Sequence, residues 1–173
     1  ADYNVPLLPN GKVRSDYRIE QSIPTIEYLL KQGCRVVICS HLGRPEGKVD
    51  LKYSLKPVAD VLSKLLKHDV KFAGDCIGEE AKQKAKALKP GQILLLENLR
   101  FYKQEEANDA SFAKKLSSLA EVFVQDGFGV VHRAHASTEG VTKFLPSVAG
   151  LLLEKEVDIL QAAISDPKRP LMT

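Results

Sequence analysis

The sequence predicts an α/β fold: a doubly wound, mainly parallel sheet with helices on both faces, in a three-layer αβα, Rossmann-like arrangement. Two observations support this. Short apolar runs alternate with helical patterns along the chain, and the run at 93–96 (Ile-Leu-Leu-Leu) is apolar at every position, which is typical of a strand buried on both faces. The 173 residues are 44% hydrophobic and 27% charged, enough for one domain with its own core.

The first half of the chain alternates helix and strand patterns. Isoleucines that recur every three or four positions predict a helix at residues 15–31. A β-rich run predicts a strand at 35–40. A second apolar stripe predicts a helix at 54–67, where Ser54 occupies the N-cap position. A short apolar run predicts the next strand at 70–73.

The second half repeats the alternation. An Ala- and Lys-rich segment at 79–88 predicts a helix that a Pro-Gly pair stops, and the run at 92–96 predicts the clearest strand. A helix is predicted at 109–120, a buried strand at 121–125 and a long helix at 148–165. Because parallel strands need crossover connections, usually helices, this alternation favours a parallel sheet.

Composition argues against several classes of protein. The net charge of +3 and pI of about 8.7 are too mild to indicate a nucleic-acid partner. The three cysteines (Cys34, Cys39 and Cys76) form no CxxC pair, so we expect reduced core thiols in a cytoplasmic protein. No apolar run approaches the roughly 20 residues of a membrane span, and no signal peptide is visible. The first residue is not Met, and we expect a fragment of a longer protein.

Polar and charged side chains follow the predicted strands at the points where the strands end. Because the carboxyl ends of parallel strands meet at one edge of a sheet, where ligands bind in such folds, these side chains are expected to lie close together. We call this set the strand-end cluster. Its members are Asp2, Asn4, His41, Arg44, Arg100, His132, Arg133 and His135.

The strand-end cluster predicts an anionic ligand. Like charges repel one another, and the planar guanidinium of arginine matches the oxygens of carboxylates and phosphates. Each charge-assisted hydrogen bond contributes about 1.5–3 kcal/mol. Glycines at 43, 127 and 129 allow the backbone to approach a ligand closely. The sequence therefore predicts a small, multiply anionic and phosphorylated ligand.

Other motifs do not match. The segment 126–129 (Asp-Gly-Phe-Gly) lacks the companion loops of protein kinases. The segment 74–78 is not GxGxxG, and no P-loop is present. The histidines lack metal-ligand spacing with carboxylates, so no metal site is predicted. A non-catalytic anion-binding module and, with less support, a dinucleotide-binding domain remain alternatives.

Five segments resemble the phosphoglycerate kinase family, in the same order and over nearly the whole chain. They are DYNVP (2–6), DYRIEQSIPTI (16–26), SHLGRP (40–45), LLLENLRF (94–101) and DGFGVVHRAHAST (126–138). The chain resembles the N-terminal half of that enzyme. The family often has Asn-Asp-Ala-Phe-Gly where this chain has Gln-Asp-Gly-Phe-Gly at 125–129, a change that removes no phosphate ligand.

The resemblance implies an activity and a domain plan. Phosphoglycerate kinases transfer a phosphoryl group between 1,3-bisphosphoglycerate and ADP, giving 3-phosphoglycerate and ATP. Residues 1–149 would form the phosphoglycerate-binding domain, with its first strand truncated, residues 150–165 the interdomain helix, and 166–173 the start of the nucleotide-binding domain. The implied partners are the phosphoglycerates and the chain's own C-terminal domain, in a monomer without nucleic acid or membrane. Mg-ATP or Mg-ADP would bind mainly to that C-terminal domain, so this chain is expected to hold no cofactor and to be inactive alone.

The resemblance also implies roles for individual residues. Arg18 would reach the transferring group and is the expected catalytic residue. Asp2 and Asn4 would contact the glycerate end of the substrate. The residues that would bind its phosphate and carboxylate are His41, Arg44, Arg100 and Arg133, with His132 as a further member of the patch. No general base is needed, because phosphoryl transfer between anionic oxygens depends on in-line positioning and charge neutralisation.

Overall fold

Three short parallel strands form the main sheet of the computed structural model, which describes residues 1–165. They are β1 (Val36–Ile38), β2 (Val70–Ala73) and β3 (Ile93–Leu96), in the order β1-β3-β2. Both outer strands start opposite Ile93. The central strand β3 is buried at all four positions, as its uninterrupted apolar sequence predicts. The parallel sheet is therefore confirmed, and its carboxyl ends share one edge.

Helices cover both faces of this sheet. They are α1 (Tyr17–Lys31), α2 (Lys56–Leu66), α3 (Glu79–Lys86), α4 (Lys103–Glu106), α5 (Ala110–Ser117) and α6 (Leu151–Ser165). Ile93 and Leu95 belong to a core that includes residues of α1 and α2. Leu94 and Leu96 belong to a second core with residues of α3 and α5. Because successive strand residues point to opposite faces, the three-layer αβα arrangement follows directly from β3.

The second helix starts later than its sequence predicts, since Lys56 is its first residue and Leu55, not Ser54, is the N-cap residue. The Ser54 hydroxyl still accepts from the Lys56 N–H (3.2 Å). The buried carboxylate of Glu97 accepts hydrogen bonds from the Leu55 backbone N–H (2.8 Å) and the Ser54 hydroxyl (2.7 Å). The end of β3 is thereby joined to the start of α2, a contact that local patterns do not reveal.

Two further strands form a separate parallel pair, β4 (Phe123–Gln125) and β5 (Ser147–Ala149). The prediction of a helix over 148–165 is wrong at its first residues, since Val148 lies in β5 and α6 begins at Leu151. The hydroxyl of Thr25 accepts from the Leu151 N–H (3.0 Å), and the carboxylate of Asp126 accepts from the Leu152 N–H (2.9 Å). These tertiary contacts fix where the helix starts.

A cavity of about 1100 Å³ separates β1 from β4. Its lining includes Val36 and Ile38 of β1, Phe123 and Val124 of β4, and Ala1. The amino group of Ala1 donates to the Cys39 carbonyl (3.1 Å) beside this cavity. The two sheets therefore have no hydrogen bonds between their strands among residues 1–165.

No helix within the described residues has the length and apolarity needed to cross a membrane. The three cysteines are free, and burial raises the pKa of the Cys39 and Cys76 thiols, which keeps both protonated. The expected start of a further domain at 166–173 lies outside the described residues.

Candidate functional site

The loops after β1 and β3 are hydrogen-bonded to each other at the carboxyl edge of the main sheet. Leu42 N–H donates to Asn98 Oδ1 (3.2 Å), and Asn98 Nδ2 donates back to the Leu42 carbonyl (2.7 Å). Arg100 Nη1 donates to the Gly43 carbonyl (2.9 Å). The segment that contains His41 and the segment that contains Arg100 are therefore held as one unit.

Asn98 is the centre of this unit. Its side chain is fully buried and also donates to the Tyr53 carbonyl (2.9 Å) and accepts from the Arg100 N–H (3.0 Å). Two donated and two accepted hydrogen bonds satisfy the amide completely. Sequence reasoning missed Asn98. The available signal was a short polar residue placed between a fully apolar strand and an arginine.

The segment 2–4 reaches the same place from the N-terminal side. Asn4 Oδ1 accepts from the Gly43 N–H (2.9 Å), so Gly43 is held on its other side as well. Gly43 has a φ of +62°, and a Cβ there would collide with the Tyr53 ring, which is why glycine is required. Asp2 forms an ion pair with Arg18 at the start of α1. Through Asp2, Arg18 joins the strand-end cluster although it follows no strand.

Arg100 is a buried guanidinium. It is 4% exposed, and burial lowers its pKa, with the positive charges of Arg133 and Arg44 acting in the same direction. Its Nε lies 3.2 Å from Glu106 Oε1 without the geometry of a hydrogen bond. The Nε of Arg133 is also buried without a hydrogen-bond partner among the described residues. Both Nε atoms are thus held out of water, and that of Arg100 lies within ion-pair distance of the Glu106 carboxylate.

Two histidines of the cluster are neutral at pH 7. Burial, followed by the positive charge of Arg100, lowers the pKa of His41 to about 4. The same two causes, in the same order, lower the pKa of His135. Arg133 acts in the same direction on both histidines. These shared effects show that residues from the ends of β1, β3 and β4 lie within electrostatic reach of one another.

The segment after β4 is fixed by short side-chain contacts. The Thr138 hydroxyl donates to the Arg133 carbonyl (2.6 Å) and accepts from the His135 N–H (3.0 Å). Within the cluster, His132 and Arg44 are exposed, and Arg18 is about half exposed at 49%. The structure therefore brings the predicted site residues near one another, with Arg100 buried and the other members partly or fully exposed.

Comparison with known proteins identifies the family. The model of the family described as "Phosphoglycerate kinase" matches residues 1–173. The chain belongs to the phosphoglycerate kinase family. It is 59% identical to the cytosolic phosphoglycerate kinase of Triticum aestivum, over 98% of this chain and 42% of that protein, and 55% identical to that of Borrelia garinii, over 100% and 44%.

Solved structures of phosphoglycerate kinases share the fold. The structure from Coxiella burnetii has a TM-score of 0.84 at 43% identity, and that from Pyrococcus horikoshii a TM-score of 0.89 at 36% identity. Each comparison covers 98% of this chain and 42% or 43% of the other. The chain thus spans less than half the length of its phosphoglycerate kinase relatives.

The site of this phosphoglycerate kinase chain is suited to anions. Of the four arginines of the site region (Arg18, Arg44, Arg100 and Arg133), Arg18 pairs with Asp2, and Arg100 has Glu105 and Glu106 near it. No group of three His, Cys, Asp or Glu side chains within residues 1–165 is arranged to hold a metal ion.

Proposed function

We propose that this chain is the phosphoglycerate-binding part of a phosphoglycerate kinase, which transfers a phosphoryl group between 1,3-bisphosphoglycerate and ADP. The observation that supports it most directly is the convergence of Arg44, Arg100 and Arg133 at the carboxyl edge of the main sheet, where the other two arginines lie within electrostatic reach of Arg100, in a chain of this family. A phosphate or carboxylate supplies several acceptor oxygens at once and neutralises this charge, whereas a cationic or apolar ligand would leave it unbalanced.

Each residue of the cluster has a role in this proposal. Arg100 and Arg133 bind anionic oxygens of phosphoglycerate from the base of the site, while Arg44, His41 and His132 contribute from around it. Neutral His41 offers one N–H donor to an anionic oxygen.

Asp2 and Asn4 serve the glycerate end and also organise the site. Asn4 Oδ1 is occupied by the Gly43 N–H, so its amide N–H groups are the part that remains for a glycerate oxygen. Asp2 accepts from Arg18 and orients that guanidinium. In this proposal both residues position substrate rather than neutralise its charge.

Arg18 is the proposed catalytic residue. Phosphoryl transfer from an acyl phosphate to ADP needs no general base, because the attacking atom is already an anionic oxygen. The requirement is in-line placement and stabilisation of charge on the equatorial oxygens of the transferring group. The guanidinium of Arg18 is half exposed and oriented by Asp2, so its remaining N–H groups would contact such a group once ADP is in place.

The nucleotide and its Mg²⁺ belong to the remainder of the kinase in this proposal. Residues 1–149 form the phosphoglycerate-binding domain, residues 150–165 the interdomain helix and 166–173 the beginning of the nucleotide-binding domain. We further propose a monomeric, cytosolic enzyme, in line with the cytosolic wheat relative.

Calorimetry with the chain shown to be folded by circular dichroism tests the proposal. We expect 3-phosphoglycerate to bind at least tenfold more tightly than inorganic phosphate, because its carboxylate and phosphate engage different arginines. NAD serves as the control, since a dinucleotide-binding domain would prefer it. Equal binding of phosphate and phosphoglycerate would indicate an anion-binding module instead.

A further inference from the structure

Glu105 is a buried carboxylate beneath the strand-end cluster that the proposed reaction does not use. It lies in α4, is 2% exposed, and has a pKa raised by burial. Its Oε2 accepts from the Ser137 N–H (3.0 Å) and its Oε1 from the Ser137 hydroxyl (2.5 Å). Burying a carboxylate is costly unless its oxygens are well paired, and Ser137 supplies both donors.

The position of Glu105 connects the two segments that contain Arg100 and Arg133. Glu105 follows Arg100 by five residues, within the turn that begins at Lys103. Ser137 follows Arg133 by four residues, and the Glu105 carbonyl also accepts from the Ala136 N–H (2.9 Å). Three hydrogen bonds therefore join the Arg100 segment to the Arg133 segment at this one residue.

Glu105 also places negative charge against the cluster from below. His135 Nδ1 lies 3.8 Å from Glu105 Oε1, and the carboxylate raises the pKa of Arg100 against the effect of burial. It thereby reduces the repulsion among the cationic groups that must lie together before a ligand binds.

We propose that Glu105 is a positioning residue that sets the separation of Arg100 and Arg133 and so determines affinity for phosphoglycerate. This inference rests on the proposed function. It assigns a role in substrate binding to Glu105, which does not itself contact the substrate. Neutralising the carboxylate leaves Ser137 with a poorer partner and lets the 133–137 segment move away from Arg100. Such a displacement weakens the binding of phosphoglycerate and leaves the binding of nucleotide unchanged.

The test uses the full-length kinase that contains this chain, with Glu105→Gln, Ser137→Ala and the double variant. We expect Glu105→Gln to raise the KM for 3-phosphoglycerate about tenfold, with the KM for ATP within about twofold of wild type. Ser137→Ala should raise the KM for 3-phosphoglycerate by a smaller factor. The factor for the double variant should be less than the product of the two single-variant factors, because Glu105 and Ser137 act as one pair. Amide exchange at Ala136 and Ser137 should accelerate in Glu105→Gln.

Tyr102→Phe is the matched control. Tyr102 flanks the same helix, and its hydroxyl donates to Asp75 (2.8 Å) away from Ser137. Its loss should leave both KM values unchanged. If a folded Glu105→Gln or Ser137→Ala enzyme keeps the wild-type KM for 3-phosphoglycerate, or if both KM values rise equally, the inference is overturned. A wild-type enzyme without phosphoglycerate kinase activity would refute the proposed function, while unchanged amide exchange in Glu105→Gln would refute the positioning role independently.

Discussion

At the scale of single residues, the site depends on side chains placed where water cannot fully solvate them. Arg100 is 4% exposed and has other arginines near it, an arrangement that costs free energy in the absence of a ligand. An oxyanion bound at the cluster would relieve the repulsion between these arginines. The same surroundings keep His41 neutral, so the ligand-free site carries less positive charge than it would with this histidine protonated.

Replacing Arg18 tests the division between binding and catalysis. In the full-length kinase, Arg18→Ala should lower kcat by about 100-fold, because under the proposed function it removes one donor to the transferring group. The KM for 3-phosphoglycerate should change by less than about threefold. Arg35→Ala, which removes an exposed arginine paired with Glu121, is the control and should have wild-type kinetics. A large rise in KM at unchanged kcat would make Arg18 a ground-state ligand.

The lowered pKa of His41 predicts how stability depends on pH. The unfolded chain protonates this imidazole below about pH 6.5, whereas the folded chain does so only near pH 4. The unfolded state therefore binds more protons between these values, and stability falls as the pH drops through this window. Because His41 is partly exposed, solvent screening reduces the effect, and His41 accounts for a loss of about 1 kcal/mol in the free energy of unfolding between pH 7 and pH 5.

Urea titrations at pH 7 and pH 5 measure this effect by comparing wild type with His41→Gln. The variant should lose less stability than wild type on acidification, while the shifts of His135, Glu105 and Asp126 are common to both. His68→Gln changes an exposed histidine outside the cluster and should behave like wild type. Identical losses in wild type and His41→Gln would contradict the assignment.

At the scale of elements, the loops after β1 and β3 behave as one structural unit because Asn98 satisfies backbone groups in both. A loop that leaves the main sheet would otherwise present buried N–H and carbonyl groups without partners. The four hydrogen bonds of Asn98 remove that cost and fix the distance between His41 and Arg100. The site is therefore built before any ligand arrives.

Asn98→Ala should destabilise the chain by about 2–4 kcal/mol, because it leaves the Leu42 carbonyl and N–H and the Tyr53 carbonyl unpaired in the interior. The free energy of unfolding, from urea titration, is the measurement. Asn10→Ala is the matched control, since Asn10 is exposed and accepts a single local hydrogen bond from the Lys12 N–H. It should cost less than about 0.5 kcal/mol. Equal effects would show that Asn98 does not hold the loops.

The boundary between β5 and α6 shows how neighbouring elements determine one another. Residues 148–165 have an apolar helical pattern, yet 147–149 pair with β4 in parallel register. Gly150 separates the two elements, and a Cβ there would collide with the Asp126 carboxyl group. That carboxyl and the Thr25 hydroxyl cap the first turn of α6, so the helix begins where partners exist for its first N–H groups.

At the scale of the whole molecule, charge is distributed unevenly. The net charge is only +3, but arginines and histidines from four separate segments meet at one edge of the sheet. Many of the remaining charges lie in exposed pairs such as Lys84–Glu80 and Lys143–Glu139, which contribute little to stability. The local potential at the strand-end cluster therefore exceeds what the net charge indicates.

This distribution predicts that phosphoglycerate binding weakens with salt. Raising NaCl from about 20 mM to about 200 mM shortens the screening length from roughly 20 Å to roughly 7 Å, so the affinity of the chain for 3-phosphoglycerate should fall severalfold. Calorimetry at several salt concentrations provides the measurement, with sodium sulfate as a competing-anion control that should weaken binding further. Affinity independent of salt would be inconsistent with recognition by the arginines.

The sequence by itself determined the alternation of helices and strands, the burial of β3 and the set of residues at the strand ends. These follow from periodicity and from the geometry of parallel sheets, which are local or topological properties. Arg18 came from the family resemblance alone. Only the tertiary structure showed that Asp2 pairs with Arg18 and so places it beside the cluster. It also showed that Asn98 and Glu105 join the segments that contain the cluster residues, and that His41 is neutral. Those outcomes depend on contacts between residues 16 to 56 positions apart and on burial, neither of which has a local sequence signal.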